Sequence, residues 1–402
     1  MTSTRLQASR VAVVGAALAD GTTEQVRPDV TVVIERGRIS GMWFDGAAPD
    51  VSDLNMTVVD GSGTTLVPGM VDSHAHLSMP GGARWIERGV LDATDELLTV
   101  GEENGEALVR AGVRWVRDVG APQRRLANGR HRPLNLVLRD RWLGLPTRPY
   151  VRAAGSWIGA DGALPPGLAI EVAHAGNLIH AVGEQLNQGA DLVKLYLDGP
   201  DRHIAPFSID EVQAVVALAH ERGARVAAHA SSLSGAVVAA NAAVDSVEHG
   251  FVLDRSTAER LAANHVTLVS TLAVLHSVQS FRTTTTIERF ASDANVSAIA
   301  ERRECAEESV RLARDAGVAI AAGSDFGGGS LRANQLAWEV EALVAAGIEP
   351  HQALAAVTWR GGDLYGDRDA GRIRVGGPAH FSLVHGDPLV DPSALWRIWL
   401  TR

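Results

Sequence analysis

A repeated alternation of short apolar runs with Ala- and Leu-rich helical stretches, which starts near residue 66, constrains the fold of this chain most strongly. A strand followed by a helix, many times over, is typical of a parallel sheet covered by helices. Eight such units are the number that closes a (β/α)8 barrel. The eight predicted strands are Leu66–Asp72, Val113–Asp118, Val151–Gly155, Leu192–Leu197, Arg225–His229, Ser246–His249, Thr267–Thr271 and Val318–Asp325.

The two ends of the chain have a different texture, because short β-rich runs there are separated by Gly and Asp turns. Examples are VAVVG and VTVVIERGRISGMW near the start and AHFSLVHGDPL near the end. A barrel of about 250 residues also leaves part of the chain for a smaller domain. We therefore predict an α/β fold in which residues 66–362 form a (β/α)8 TIM barrel. Residues 1–65 and 363–402 are predicted to build one small β-sandwich domain from both chain ends.

The charge and the apolar pattern of the chain argue against two classes of partner. The formal net charge is −10 and is spread along the chain, which gives no support to nucleic-acid binding, since that usually needs a basic patch. No apolar run approaches the roughly 20 residues that span a bilayer, so no membrane partner is expected. The run Val11–Leu18 leads into Asp20-Gly21, and we interpret it as a strand and a turn instead of a signal-peptide core.

The chain has a single cysteine, Cys305, so it forms no internal disulfide and does not need an oxidising compartment. We expect Cys305 to be a small packing residue on an amphipathic helix, and the protein to be cytoplasmic. A homo-oligomer is compatible with the sequence, since barrels of this kind often pair.

The sharpest local signal is PGMVDSHAHLS, in which an apolar strand ends in His74-Ala75-His76. Strand side chains alternate between faces, so the two imidazoles point the same way. Two neutral imidazoles side by side are suited to a divalent metal. The pair by itself is weak evidence, because the chain contains 14 histidines.

Metal-capable side chains recur where three later strands end. His229 lies near the end of ARVAAHA, and His249 lies near the end of AVDSVEHG. Asp325 lies near the end of VAIAAGSDFG. The C-terminal ends of barrel strands converge on one mouth. Each residue alone could be a hydrogen-bonded core residue or a turn aspartate, but their joint occurrence on strands one, five, six and eight predicts a metal centre.

Lys194 lies in DLVKLYLDG, inside an otherwise apolar strand. Alternation directs Leu192, Lys194 and Tyr196 into the barrel, where an ammonium without a partner is costly. One solution is an ion pair with a carboxylate such as Asp325. The other is a neutral amine that reacts with carbon dioxide to give a carbamate, which can bridge two divalent cations. We favour the carbamate, since burial promotes the neutral amine.

Taken together, these motifs resemble the amidohydrolase superfamily, in the branch of imidazolonepropionase-like hydrolases and metal-dependent Xaa-Pro dipeptidases. The resemblance covers nearly the whole chain. The matching segments are VPGMVDSHAHL, GVRWVRDVG, GADLVKLYLDG, RVAAHA, VDSVEHG, AAGSD and AGRIRVGGPAHFSLVHGDPL.

The resemblance implies a binuclear centre, usually of zinc. Its ligands in this chain would be His74, His76, Lys194, His229, His249 and Asp325. The first metal would take the His74/His76 pair and Asp325, and the second would take the two later histidines. Carbon dioxide would be present as the carbamate on Lys194, which would bridge both metals.

The resemblance also implies an activity, the hydrolysis of an amide or peptide C–N bond. A hydroxide would bridge the two metals, and one metal would polarise the scissile carbonyl. Asp325 would take the proton from the attacking water and give it to the leaving amine. The substrate is expected to be a peptide, an N-acyl amino acid or a related amide. Members with dipeptidase activity typically have an aromatic residue where this chain has Ser231, which argues against simple dipeptidase activity.

Substrate contacts are expected from the long segments after strands one, three and seven, because loops after barrel strands shape the active-site face. These segments are residues 77–105, 156–180 and 272–296. The candidate contact residues are Trp157, which as a loop aromatic could equally serve packing alone, and Tyr196 in the lysine strand.

Two other interpretations stay open. One is a mononuclear deaminase or an imidazolone-type hydrolase of cyclic amides on the same barrel. It would hold one metal with the His74/His76 pair, Asp325 and one later histidine, and Lys194 argues against it. The other is a non-catalytic binding or scaffold barrel, against which the six ligand-type side chains argue.

Overall fold

The computed structural model describes residues 10–48 and 56–402. Its strands are β1 Arg10–Leu18, β2 Arg27–Glu35, β3 Arg38–Trp43, β4 Thr57–Asp60, β5 Thr64–Pro68, β6 Met70–Ala75, β7 Val113–Asp118, β8 Gln123–Arg125, β9 His131–Pro133, β10 Tyr150–Ala153, β11 Ile158–Ala160, β12 Ile170–Val172, β13 Leu192–Tyr196, β14 Arg225–Ala230, β15 Ser246–His249, β16 Thr267–Ser270, β17 Ile320–Ala322, β18 Phe381–His385 and β19 Ile398–Thr401.

The α-helices fill most of the intervals between the strands of the middle region. They are α1 Trp85–Leu91, α2 Thr94–Arg110, α3 Leu134–Trp142, α4 Ala175–Asn187, α5 Ile209–Glu221, α6 Leu233–Ala242, α7 Arg255–Ala263, α8 Leu272–Ser280, α9 Glu288–Ala291, α10 Asp293–Asp315, α11 Leu336–Ala345, α12 Pro350–Ala356 and α13 Trp359–Tyr365. Short 3-10 helices lie at Phe281–Thr283 and Pro392–Trp396.

Both chain ends enter one sheet, whose strands run in the order β19-β18-β5-β1-β2-β3, with β4 paired to β1. The ends meet where β5 and β18 pair antiparallel, with Leu66 opposite Leu383. Buried side chains such as Val32 and Phe381 form a hydrophobic cluster of this sheet that is distinct from the main core. The β-sandwich and the two domain boundaries stay predictions.

The predicted barrel strands all overlap with strands of parallel sheets. One sheet has the order β10-β7-β6, and another has the order β12-β11-β13-β14-β15-β16-β17. Strands β7 and β15 have the predicted bounds. The predicted strand Leu66–Asp72 is two strands divided at Gly69, because Thr64–Pro68 pairs with β18 whereas Met70–Ala75 pairs with β7.

Hydrogen bonds also link the two parallel sheets. The Asp325 amide donates to the His74 carbonyl at 2.8 Å, and the His76 amide donates to the Phe326 carbonyl at 3.1 Å. On the other side, the Asp191 amide just before β13 donates to the Ala153 carbonyl at 2.8 Å. The segment after β17 is thereby held beside β6, and the first and last predicted strands meet.

The lysine strand shows the alternation that the sequence predicts. Val193, Leu195 and Leu197 belong to the main hydrophobic core. Lys194 and Tyr196 point the other way, into a cavity at the strand ends. The period of two is therefore enough to place the lysine on the interior face.

Helix α10 corrects the expectation for Cys305, which is exposed. The buried residues of this helix are spaced as Ala306, Val310 and Ala313, so Cys305 lies just outside the buried stripe. Within the described residues, no helix has the length and apolar character needed to cross a membrane.

Candidate metal centre

Two of the residues predicted to bind metal have an unusual backbone conformation. Asp325, three residues after β17, has φ of +53°, and His249, at the end of β15, has φ of +72°. Left-handed conformations are rare in residues other than glycine, cost roughly 1–3 kcal/mol and cluster at functional sites. The strain turns both side chains at the point where their strands end.

His74, His76 and Asp325 come together as a compact cluster in which the candidate ligand atoms lie within 4.8 Å of one another. Asp325 Oδ1 is 3.5 Å from His74 Nε2 and 3.3 Å from His76 Nε2. Ligand atoms around a tetrahedral zinc ion at its usual bond lengths are about 3.4 Å apart. The cluster therefore has the spacing that a divalent metal requires.

His229 and His249 lie beside this cluster. The His249 ring centroid is 4.6 Å from that of His74 and 4.6 Å from that of His229. His229 is also stacked against Tyr196, with centroids 3.8 Å apart. All six predicted ligands line one cavity of about 260 Å³, together with Trp157 and Tyr196. Their individual roles as ligands stay predictions.

Each imidazole of the His74/His76 pair is held by a partner on its Nδ1 atom. His74 Nδ1 is 2.7 Å from Glu248 Oε2, and His76 Nδ1 is 2.8 Å from the Gly120 carbonyl oxygen. Because these oxygens accept, Nδ1 carries the proton and Nε2 keeps its lone pair for a metal. Arg117 and a serine hydroxyl in turn contact Glu248. Such outer partners fix the orientation and the tautomer of metal-binding histidines.

The two later histidines are held in the same manner, but through different nitrogens. His249 Nδ1 is 2.8 Å from Thr271 Oγ1, and His229 Nε2 is 3.0 Å from Asp198 Oδ2. His229 therefore offers Nδ1, whereas the other three histidines offer Nε2. Burial opposes ionisation of Asp198, but hydrogen bonds from His229 and from the Ser231 hydroxyl outweigh it and lower the pKa of Asp198.

Burial determines the charge state of the histidines. It lowers the pKa of His74 and His249 well below the usual value, and it lowers the pKa of His229 as well. These imidazoles are therefore neutral at pH 7 and keep the lone pair that metal coordination requires.

Lys194 is the only lysine in the chain. Its side chain is 1% exposed, and Nζ has no hydrogen-bond partner among the described residues. Burial lowers the pKa of the Lys194 amine to about 8, although Glu248 and Asp325 oppose the shift. The ion pair with Asp325 is not formed within 4.0 Å in the described structure. The shift makes the neutral amine accessible near pH 8, and an orphaned amine facing four histidines fits the predicted carbamate better than an ion pair.

Gly328 leaves room for one of the histidines. A Cβ atom at this position would lie 2.2 Å from His76 Cδ2 and 2.7 Å from His76 Nε2. These distances are far below van der Waals contact, so any side chain at residue 328 would push the imidazole out of place.

We expect Gly328→Ala to lower the metal content of the first site and to reduce the metal affinity by about 10- to 100-fold, as loss of a histidine's orientation does. The measurements are metal per chain by plasma mass spectrometry and metal affinity by competition with a chelator, with a thermal melt to check folding. Gly183→Ala is the control, because a Cβ there meets nothing within 4 Å. Unchanged metal affinity in the Gly328 variant would contradict a role for His76 as a ligand.

The three long segments singled out in the sequence all reach the cavity. Trp85 comes from the first, Trp157 from the second, and Leu275 and Phe290 from the third. The Trp157 ring packs against His76, with centroids 5.0 Å apart. Trp157 therefore does more than fill a surface loop, although contact with substrate is still a prediction.

Sequence reasoning missed the side chains that orient the ligands. Glu248 and Asp198 both lie within the quoted motifs VDSVEHG and DLVKLYLDG, next to predicted ligand strands. A carboxylate directly before the predicted ligand His249 was a signal that could have identified Glu248, which is fully buried. Thr271 and Arg302 carry no comparable local signal.

Histidines and an aspartate that gather where parallel strands end define a metal-binding hydrolase of the α/β class. The family comparison makes this more specific. Residues 65–398 match the model of the amidohydrolase family, and the chain belongs to that family. It is accordingly a hydrolase that acts on carbon–nitrogen bonds.

Individual relatives agree with this assignment. The chain is 30% identical over 343 residues to an uncharacterized protein of Mycobacterium tuberculosis, covering 83% of this chain and 81% of the relative. It is 26% identical over 401 residues to the imidazolonepropionase of Ectopseudomonas mendocina, covering 89% and 87%. A solved Xaa-Pro dipeptidase with bound methionine is similar in fold, with a TM-score of 0.81, 23% identity and 98% of each chain covered. The predicted superfamily and branch are confirmed.

Proposed function

We propose that this protein hydrolyses an open-chain amide or peptide bond at a binuclear metal centre. The observation that carries the proposal is the convergence on one cavity of four histidines, Asp325 and the orphaned amine of Lys194. We assume that the eight strands close into a (β/α)8 barrel. We also assume that the metal is zinc, since nitrogen and carboxylate ligands suit zinc. A cytoplasmic location and a homo-oligomer stay predictions.

The residues divide between the two metals according to their positions. His74, His76 and Asp325 would hold the first metal, since their ligand atoms already have the spacing for one ion. His229 and His249 would hold the second, and Lys194 as its carbamate would join the two. When bound, two divalent cations lower the pKa of water and polarise a carbonyl oxygen.

The protein side chains provide the proton transfer and the orientation. Asp325 lies at the mouth of the strands and is the one carboxylate that lines the cavity among the described residues. It would accept the proton of the attacking water and then donate it to the departing amine nitrogen. Trp157 and Tyr196 would exclude bulk water from the ligands they pack against.

The test is a screen of zinc-reconstituted protein against dipeptides, N-acyl amino acids and lactams, with release of a primary amine as the measurement. We expect turnover of an open-chain amide and little turnover of lactams. Turnover restricted to cyclic amides, or release of ammonia alone, would instead support the mononuclear deaminase or imidazolone-type alternative.

A further inference from the structure

Apart from the predicted metal ligands, the walls of the cavity are largely apolar. Trp85, Trp157, Leu164, Leu168 and Phe290 contribute to them. Among the described lining residues, Arg302 supplies the one guanidinium. A charged guanidinium beside apolar side chains is costly unless a group of opposite charge pairs with it, and a bound ligand can supply that group.

Neutral partners hold Arg302 in place. Its Nη2 donates to Ser231 Oγ at 2.7 Å, and the guanidinium carbon lies 5.0 Å from the centroid of the Phe251 ring. Within the described residues no carboxylate oxygen lies within 4.0 Å of this guanidinium. Burial lowers the pKa of Arg302, and the like charge of Arg202 adds to the shift.

The carboxylate of Asp198, which lies behind Ser231, is already satisfied by other donors. Asp198 accepts from the hydroxyls of Ser231 and Ser232 and from His229. Ser231 therefore stands between Asp198 and Arg302, and it directs the guanidinium without neutralising it. Among the residues that the structure describes, Ser231 is the one hydrogen-bond partner given for the guanidinium, so its other donors can meet a ligand.

Arg302 also lies at a boundary between two cavities. It lines the metal cavity of about 260 Å³ and a broader groove of about 1240 Å³ on the adjacent surface. The groove is bordered by residues 202–208 and by α10. A ligand that reached from the metal cavity towards the groove would lie beside the guanidinium, because Arg302 lines both.

We propose that Arg302 is a carboxylate subsite, and that the substrate is an N-acyl amino acid with an apolar acyl group. The planar guanidinium can take a carboxylate in bidentate geometry, which a lysine cannot reproduce. The apolar walls around Trp157 and Leu168 take the acyl group. This inference rests on the proposed function, because it concerns the carboxylate group of the substrate that is hydrolysed at the same metal centre.

The kinetic test compares N-benzoylglycine with N-ethylbenzamide, which has the same scissile amide but no carboxylate. Wild type is expected to prefer N-benzoylglycine in kcat/KM, and Arg302→Gln is expected to lose about 10- to 100-fold on that substrate alone. Arg302→Lys should restore part of the preference. Arg202→Gln is the matched control, because Arg202 borders the groove but does not line the metal cavity.

A binding test separates the subsite from catalysis. The affinity of metal-loaded protein for 3-phenylpropionate and for 3-phenylpropanamide is measured by titration calorimetry. Wild type and Arg202→Gln should prefer the carboxylate, and Arg302→Gln should lose about 10-fold or more of that preference. Binding of the carboxylate to the metal contributes equally in wild type, Arg202→Gln and Arg302→Gln. A difference in carboxylate preference between these proteins therefore reports the contribution of Arg302.

The two tests distinguish failure of the subsite from failure of the proposed function. A carboxylate preference that survives Arg302→Gln in the calorimeter overturns the subsite, even if amides are hydrolysed. Loss of that preference together with no turnover of any amide supports the subsite and contradicts the proposed function. Equal loss of kcat/KM on both substrates shows a structural role for Arg302 and also overturns the subsite.

Discussion

Asp325→Asn should reduce kcat by about 10²- to 10⁴-fold, which is the usual contribution of a general acid–base group. The amide keeps one oxygen where Asp325 Oδ1 faces the Nε2 atoms of His74 and His76. Most of the metal should therefore remain bound. The amide cannot accept and return a proton, so chemistry should be lost without loss of the site. Steady-state kinetics and metal per chain are the two measurements.

Asp45→Asn is the control for this substitution. Asp45 is exposed and has φ of +54°, almost the value of Asp325. Asparagine tolerates the left-handed conformation well, so any effect of the backbone change should be the same in both variants. A rate near that of wild type in Asp325→Asn would exclude its role in proton transfer. A rate loss matched by loss of both metals would assign it a role as ligand only.

If Lys194 bridges two metals as proposed, Lys194→Ala should reduce the metal content from about two ions per chain to about one and lower kcat by about 10²-fold or more, because the bridging group would be absent. The space left by the side chain should admit a small carboxylate. Acetate added in millimolar amounts is therefore expected to restore part of the activity. Lys194→Met is the matched control, since methionine fills the space and should show no rescue.

The carbamate itself can be observed directly. Wild type reconstituted with metal and 13C-labelled bicarbonate should give one carbamate signal in the carbon NMR spectrum, and Lys194→Ala should lack it. Assignment is simple because the chain contains no other lysine. A wild-type protein with two metals and no such signal would contradict the bridge, and one metal in wild type would favour the mononuclear alternative.

Much of the fold could be predicted because its signals are local. β7 and β15 have the predicted bounds, Val113–Asp118 and Ser246–His249. The one division that was missed, at Gly69, has a non-local cause. Residues on both sides of Gly69 are apolar, and only the choice of partner, β18 or β7, separates them.

The positions of the candidate ligands were also readable from the sequence. His74 and His76 share a face because strand side chains alternate, and Lys194 points inward for the same reason. Their relevance came from recurrence at strand ends, since the C-terminal ends of parallel strands meet. The exposure of Cys305 was misjudged because one position on a helix separates the buried stripe from solvent.

The sequence by itself determined which residues stand at the strand ends and which way they point, because both properties depend on neighbours along one strand. Only the tertiary structure decided which side chains form hydrogen bonds with these residues and orient them. Glu248 is 174 positions from His74, and Arg302 is 71 positions from the serine hydroxyl that directs it. Such contacts depend on the register between strands and on where a helix packs. No local pattern encodes those distances.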